Sequence, residues 1–366
     1  MINRGELMLE FRLVEDDDFQ QAIDLADKVF RKEGHVSMGI AFPQVFSAAL
    51  NQSYGAFVDD KLVSFIGLVP SVLHLEGAEI QAYSIGAVCT DPDYRRKGLA
   101  NTLLKKIFEH VNKSGASVLF ISGDLPLYIK QGCTFYGKMN QYKLHSGDIT
   151  ADTSYKVREL GPYDWFQLRK LSQNRKIRYE QTIYEIAQLN KGAGFASIFK
   201  MKHKVLVAEK NNELNAFLIF GVPYQEQEGV DSRVIEWGGD PIAIRTLLAE
   251  AFTYGPDSLL WNVPSYEKEL IQDLDSFQEK VDQTYPGTIK IMNLDLLLNQ
   301  LGPYFKDKLV ISTMDDKQKR LFNDENSTIL SNLDVEELIL KGSKNVDWYS
   351  YIFPIPFPFP QGLNYV

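Results

Sequence analysis

Apolar positions recur in two different rhythms near the start of the chain. Residues 11–14 (Phe-Arg-Leu-Val) read as a short strand and the acidic run from Glu15 to Asp18 as a helix cap, with Phe19, Ala22, Ile23, Leu25 and Ala26 as the apolar face of the helix that follows. The same order returns at residues 155–158 (Tyr-Lys-Val-Arg), where Asp164 stands ahead of Trp165, Phe166, Leu168 and Leu171. A second pair of segments matches at a similar distance in each half. Residues 54–70 read as two strands about Asp59-Asp60-Lys61, and residues 205–223 as two strands about Asn211-Asn212-Glu213. Asp and Asn tolerate the backbone angles of tight hairpins. Self-similarity on this scale predicts the internal duplication of one α/β unit.

The polar run 146–154 places a boundary near residue 150. Residues 289–292 read as a strand and 294–301 as a helix, opening a third segment that carries the charged stretch 315–326. The predicted division is therefore 1–150, 151–287 and 288–366. In the last segment Phe353, Ile355, Phe357 and Phe359 alternate with prolines, which forbids a helix and favours an extended strip that loses little entropy when it docks. The predicted fold class is α/β (α+β), with two tandem domains of mixed central sheet flanked by helices and a C-terminal extension.

Candidate chemistry concentrates between Tyr83 and Phe135. Residues 83–90 are β-rich, and Gly86 interrupts the run where a bulge is tolerated. A turn at Asp91-Pro92-Asp93-Tyr94 is followed by Arg95, Arg96, Lys97, Gly98, Leu99 and Ala100. These lead directly into a helix with Leu103, Leu104, Ile107, Phe108 and Val111 on one face. The first amides of a helix lack intrahelical acceptors and the macrodipole adds positive charge there, so an anion fits. Gly98 and Ala100 are small enough for a diphosphate to approach the backbone, with three cations around it. The loop has neither the GxxxxGK[ST] spacing of nucleotide-hydrolysing P-loops nor the GxGxxG of dinucleotide folds, which argues against ATP and NAD.

Composition narrows the setting. With 45% hydrophobic and 12% aromatic residues, the 366-residue chain can bury cores of its own. A net charge of -9 offers no field for a polyanion, so no nucleic-acid partner is expected and an amine-bearing one fits better. Cys89 and Cys133 are too few for a disulfide framework and lack metal-ligand spacing. They read as small apolar fillers, and no metal site is expected. The start has no signal-peptide pattern and no stretch approaches the roughly 20 apolar residues of a membrane span. The expectation is a cytoplasmic protein without membrane contact, and a homo-oligomer stays open.

At the loop from Arg95 to Ala100 the sequence resembles the GNAT superfamily of N-acetyltransferases. The acyl-CoA signature of that family, Q/R-x-x-G-x-G/A, is matched by Arg95, Gly98 and Ala100 after a strand ending Val88-Cys89-Thr90. A second block follows: a strand at 118–122, the turn Gly123-Asp124, then Tyr128, Gly132 and Phe135. It resembles the family's Y-x-x-x-G-F, except that two residues separate Gly132 from Phe135. Looser likeness through about residue 285 is to the tandem enhanced-intracellular-survival (Eis-like) acetyltransferases.

The resemblance implies an N-acetyltransferase acting on acetyl-CoA as cosubstrate and a small-molecule or protein amine acceptor. Val88, Cys89 and Thr90 would border the pantetheine arm, and Arg95, Arg96, Lys97, Gly98, Leu99, Ala100 and Asn101 would hold the diphosphate. Gly123 and Asp124 would border the thiol, and Tyr128 would protonate the departing thiolate. In Eis-like enzymes the terminal carboxylate lies in the active site, a role that falls here on Val366. A tail that covers a domain seam is the competing reading. For the base, Glu33, His35, Glu79 and Asp124 are further candidates that spacing does not separate. In the second unit Asp240 and Pro241 make a helix cap and first residue, and a carboxylate there would repel a diphosphate. An acyl-CoA-binding sensor or scaffold is the alternative function; an aminoacyl transferase is disfavoured because it needs no such loop.

Overall fold

The computed structural model describes residues 8–224, 230–274, 279–343 and 347–366. Strand β1 (Leu9–Leu13) runs through a 3-10 turn at Asp16–Asp18 into helix α1 (Phe19–Phe30), which buries Phe19, Ala22, Leu25 and Ala26. One ion pair fixes that turn: Arg12 Nη1 donates to Asp18 at 2.5 Å, and Asp18 also accepts from the Glu15 amide at 3.0 Å. After α2 (Met38–Ala41) come β2 (Tyr54–Val58) and β3 (Lys61–Leu75). Asp59 and Asp60 between them hold φ of 47° and 63°, the paired left-handed angles of a two-residue hairpin. Then follow β4 (Ala78–Thr90), α3 (Leu99–Ser114), β5 (Val118–Ile121), α4 (Pro126–Lys130) and β6 (Lys138–Leu144).

The second half repeats these devices residue for residue. β7 (Lys156–Glu159) leads to α5 (Trp165–Gln173), with Arg158 Nη1 donating to Asp164 at 2.5 Å and the Gly161 amide donating to Asp164 at 2.7 Å. After β8 (Ile177–Tyr179), α6 (Ile183–Gly192) and α7 (Gly194–Ser197) come β9 (Met201–Lys210) and β10 (Glu213–Pro223). Asn211 and Asn212 turn that hairpin with φ of 56° and 65°. β11 (Asp231–Gly239), α8 (Pro241–Ala251), β12 (Ser258–Pro264) and β13 (Lys280–Thr284) complete it.

Strand order shows the duplication. One sheet contains the path β1-β2-β3-β4-β5 and the other β7-β9-β10-β11-β12, the last pair being parallel in each. Beyond these five strands the halves exchange material. β6 pairs with β12 in the second sheet, and β14 (Thr288–Ile291) pairs with β5 in the first. β8 likewise pairs with β3. The stretch 315–326 belongs to a small sheet of β15 (Val310–Thr313), β16 (Gln318–Phe322) and β17 (Ser327–Ser331), followed by the helix Asn332–Lys341.

Phe353, Ile355, Phe357 and Phe359 are all buried, in one core with Phe120 of β5, Tyr136 and Tyr285. The Phe357 ring lies 5.9 Å from Phe120, and the Tyr285 hydroxyl donates to the Phe357 carbonyl at 3.3 Å. The strip therefore seals the seam between the sheets along most of its length. Among the described residues no helix is long and apolar enough to cross a membrane.

Candidate active site

β4 and β5 pair from Ala82↔Val118 to Ile85↔Ile121 and then part. β4 stays on β3, but its register slips: Gly67 faces Gly86 and Phe65 faces Cys89, which leaves Ala87 and Val88 outside the ladder. Ala87, with φ of 51°, absorbs the extra residue. Gly86 has a separate reason to lack a side chain. A Cβ there would lie 2.8 Å from the backbone carbonyl carbon of Val366 and 3.0 Å from its Cβ. Val366 thus lies directly on the bulge.

Further along, β4 delivers the basic loop. Thr90 shares a hydrogen bond with Ser64 at 2.7 Å. Asp91, 3% exposed, is held by Lys28 at 3.0 Å. Burial opposes its charge, but the Lys28 ammonium and the Asp93 amide outweigh that and hold the carboxyl below its usual range. Arg95, Arg96, Lys97 and Gly98 are exposed. Arg96 and Gly98 both adopt left-handed angles, φ of 63° and 80°. Gly98 caps α3 without any side-chain hydrogen bond, so the first amides of that helix have no internal acceptor. Asn101 is tied to the end of α4, accepting from Gln131 Nε2 at 2.8 Å.

Across the gap, Gly123 and Asp124 follow β5, and Tyr128 sits on α4. Tyr128 is 3% exposed and packs with Leu99, Leu103, Ile121 and Cys133. A Cβ at Gly123 would lie 3.2 Å from its ring. Burial, with a smaller push from Cys133, raises the Tyr128 phenol to about 12. Burial also raises the Cys89 thiol to about 12 and that of Cys133 to about 11. Both thiols stay protonated at neutral pH. After Gly132, whose φ of 82° ends α4, the buried position is filled by Cys133, while Phe135 is 43% exposed. The aromatic expected to follow the glycine is therefore replaced by Cys133.

On the third side, Val366 is 9% exposed among Val45, Phe46, Phe65, Val69 and Cys89. The Tyr365 ring lies 6.0 Å from Phe42 and 5.1 Å from Phe195 of α7. No periodic signal marks Phe42 and Phe46, which sit in an irregular stretch around α2. Asp124 is exposed at the mouth of the gap. Glu33 and His35 lie beyond α1, where His35 bonds to the Lys32 carbonyl at 3.1 Å. Glu79 faces His74 at the far end of the hairpin, about 23 Å from Gly86 at the rise of an extended strand. There the ligand atoms of His74, Glu79 and Glu180 lie within 4.8 Å of one another, a grouping that arises only from the pairing of β8 on β3.

The second half repeats the bulge and closes the helix start. Ile219 faces Glu236 and Phe220 faces Val234, so β11 carries an extra residue at Ile235. Asp240 caps α8, accepting from the Ala243 amide at 2.9 Å, and Pro241 is the first helical residue, as the sequence predicts. Where α3 opens toward solvent with free amides, α8 opens onto a carboxylate.

Known proteins resemble the chain at two levels. Residues 10–139 match the family model described as an acetyltransferase (GNAT) domain. No curated protein matches the chain. Among solved structures, a probable N-acyltransferase of unknown function from Enterococcus faecalis is similar with a TM-score of 0.65 at 13% identity, over 89% of this chain and 86% of that one. A GCN5-related N-acetyltransferase from Anabaena variabilis gives 0.66 at 14%, over 89% and 86%. Eis1 from Mycobacterium abscessus gives 0.59 at 10%, over 88% and 85%. At these identities the structures speak for the fold alone, and the family model speaks for the first half. Residues 10–139 thus match an acetyltransferase (GNAT) domain, and the chain as a whole shares the fold of these solved N-acetyltransferase structures.

Proposed function

We propose that the chain is an N-acetyltransferase in which acetyl-CoA and a primary amine, on a small molecule or a protein, meet in a ternary complex at the gap between β4 and β5. The observation that carries this reading is that β4 and β5, and the segments that follow them, bear three features: the basic left-handed turn that opens α3, buried Tyr128 on α4, and Val366 against Gly86. In this reading the amides opening α3, with Arg95, Arg96 and Lys97, hold the diphosphate, and Asn101 lies beside them. Val88, Cys89 and Thr90 border the pantetheine, with Gly123 and Asp124 near the sulfur.

The acceptor nitrogen forms a bond to the acetyl carbon as the carbon–sulfur bond breaks. Tyr128 gives its proton to sulfur, and its phenol, raised to about 12, remains protonated across the neutral range. The Val366 carboxylate, whose carbon lies against Gly86, takes part in removing the proton of the arriving ammonium in this scheme. The second half, whose helix start is closed by Asp240, binds no cofactor in this scheme, and the chain divides functionally near residues 150 and 287. The setting we propose is cytoplasmic.

Tyr128→Phe tests the scheme, since it removes the proton donor and keeps the ring. Turnover with acetyl-CoA and an amine panel should fall by about 10²-fold or more. Coenzyme A affinity, measured by calorimetry, should stay at the wild-type value. Unchanged turnover in the variant removes Tyr128 from the chemistry.

A further inference from the structure

The tail touches both bulges. Gly362 and Leu363 lie on the β11 bulge, where the Leu363 amide donates to Glu236 Oε2 at 3.2 Å. A Cβ at Gly362 would come 2.5 Å from that oxygen and 3.5 Å from the Ile235 carbonyl. Next along, Asn364 Oδ1 accepts from Gln181 Nε2 at 2.5 Å, and Gln181 is 7% exposed. Two residues later Val366 meets Gly86 on the β4 bulge. Contacts at residues 362, 363, 364 and 366 thus carry the tail from one repeated feature to its counterpart.

Glu236 is built for this. Its side chain and that of Arg175 are each 16% exposed, and Arg175 Nη1 pairs with Glu236 while Nη2 reaches Glu267 at 3.1 Å. The Arg175 guanidinium also lies 5.2 Å from the Trp237 ring centre. A half-buried carboxylate is costly to keep unless a countercharge and hydrogen-bond donors meet it. Arg175 supplies the first and the tail supplies a donor. The charged acceptor makes a stronger bond to the Leu363 amide than a neutral one would.

We propose that Glu236, braced by Arg175, is a positioning residue that anchors the tail on the second half, so that the Val366 carboxylate is delivered to the acyl-transfer gap of the first. The duplicated bulge, no longer beside an open helix start, serves as the seat of the tail. The kinetic consequence rests on the acetyltransferase reading, whereas the anchoring does not.

Carboxypeptidase Y digestion of the full chain, followed by intact-mass measurement, reads the anchor without any activity assay. Wild-type protein should resist release of Val366 and Tyr365. Glu236→Gln, Gln181→Ala and Gly362→Ala should each release them about tenfold faster, because cleavage tracks the detached population. Gly362→Ala crowds Glu236 from the tail side and leaves the Arg175 pair in place, so it carries the test if Glu236→Gln does not fold. Wild-type protection in every folded variant overturns the anchor. In the kinetic arm, Gly362→Ala should lower kcat several-fold with the KM for acetyl-CoA unchanged, and the effect should vanish in a chain lacking residues 365–366. An equal fall in that shortened chain makes the role structural and overturns the positioning. Tail release without any acetyl transfer by the wild type would support the anchor and sink the acetyltransferase reading.

Discussion

At the scale of single residues, the basic loop before α3 is organised by backbone angles that side chains resist. Gly98 holds φ of 80° with open space where a Cβ would point, so its need for glycine is conformational and not steric. For an alanine the left-handed region costs about 1 kcal/mol. The loop is exposed and carries little packing, so a Gly98→Ala chain can relax when empty and must recover the strained angle to bind. Coenzyme A should then bind about fivefold more weakly by calorimetry, the equivalent of that strain, with little change in thermal midpoint. Unchanged affinity would mean that the left-handed turn is not the grip. Arg96, at φ of 63°, holds the same kind of angle without being glycine, and nothing in its residue type announces it. The same blindness applies at β4, where Gly86 drew attention as the bulge but Ala87 takes the positive φ, while Gly86 is kept bare by Val366 lying against it.

Among elements, legibility followed locality. Both hairpin turns, the strand-to-helix starts at Phe19 and Trp165, and the Asp240 cap depend on neighbours within a few residues, and each forms where the pattern places it. What local reading missed is a long-armed pair that recurs with identical spacing, Arg12 with Asp18 and Arg158 with Asp164. Each arginine reaches forward six residues to pin the turn that aims a helix. The Asp164 carboxyl is held below the ordinary range chiefly by the Arg158 hydrogen bond, against burial, with help from the Gly161 amide. A depressed carboxyl contributes stability that is present above the unfolded value of about 3.9 and lost as pH falls through the lower folded value. Asp164→Asn should therefore cost about 1–2 kcal/mol near neutral pH. Its gap from wild type in urea midpoints should close as pH drops below about 4. A gap that stays constant into acid would assign the effect to shape and not to charge.

For the molecule as a whole, the sheets are bound together by exchange. β6 leaves the half that precedes it to pair with β12, β14 returns to cover β5, and the strip with Phe353, Ile355, Phe357 and Phe359 fills the core between them. None of this is visible in periodicity, because which sheet accepts a strand is decided by edges far away in sequence. A chain cut at residue 150 would retain the whole basic loop and Tyr128. It would also leave β5 with a bare edge, β6 with no partner, and Phe120 and Tyr136 without the Phe357 ring that packs on them. Exposed apolar edges of that kind favour association over folding. The fragment 1–150 should therefore be aggregated or unfolded by circular dichroism and size exclusion, and should fail to bind coenzyme A. The intact chain should melt in one calorimetric transition, since neither sheet can be completed without strands from the other half. A monomeric, cofactor-binding fragment, or two separate transitions in the whole protein, would show that the exchanged strands are ornaments on two independent cores.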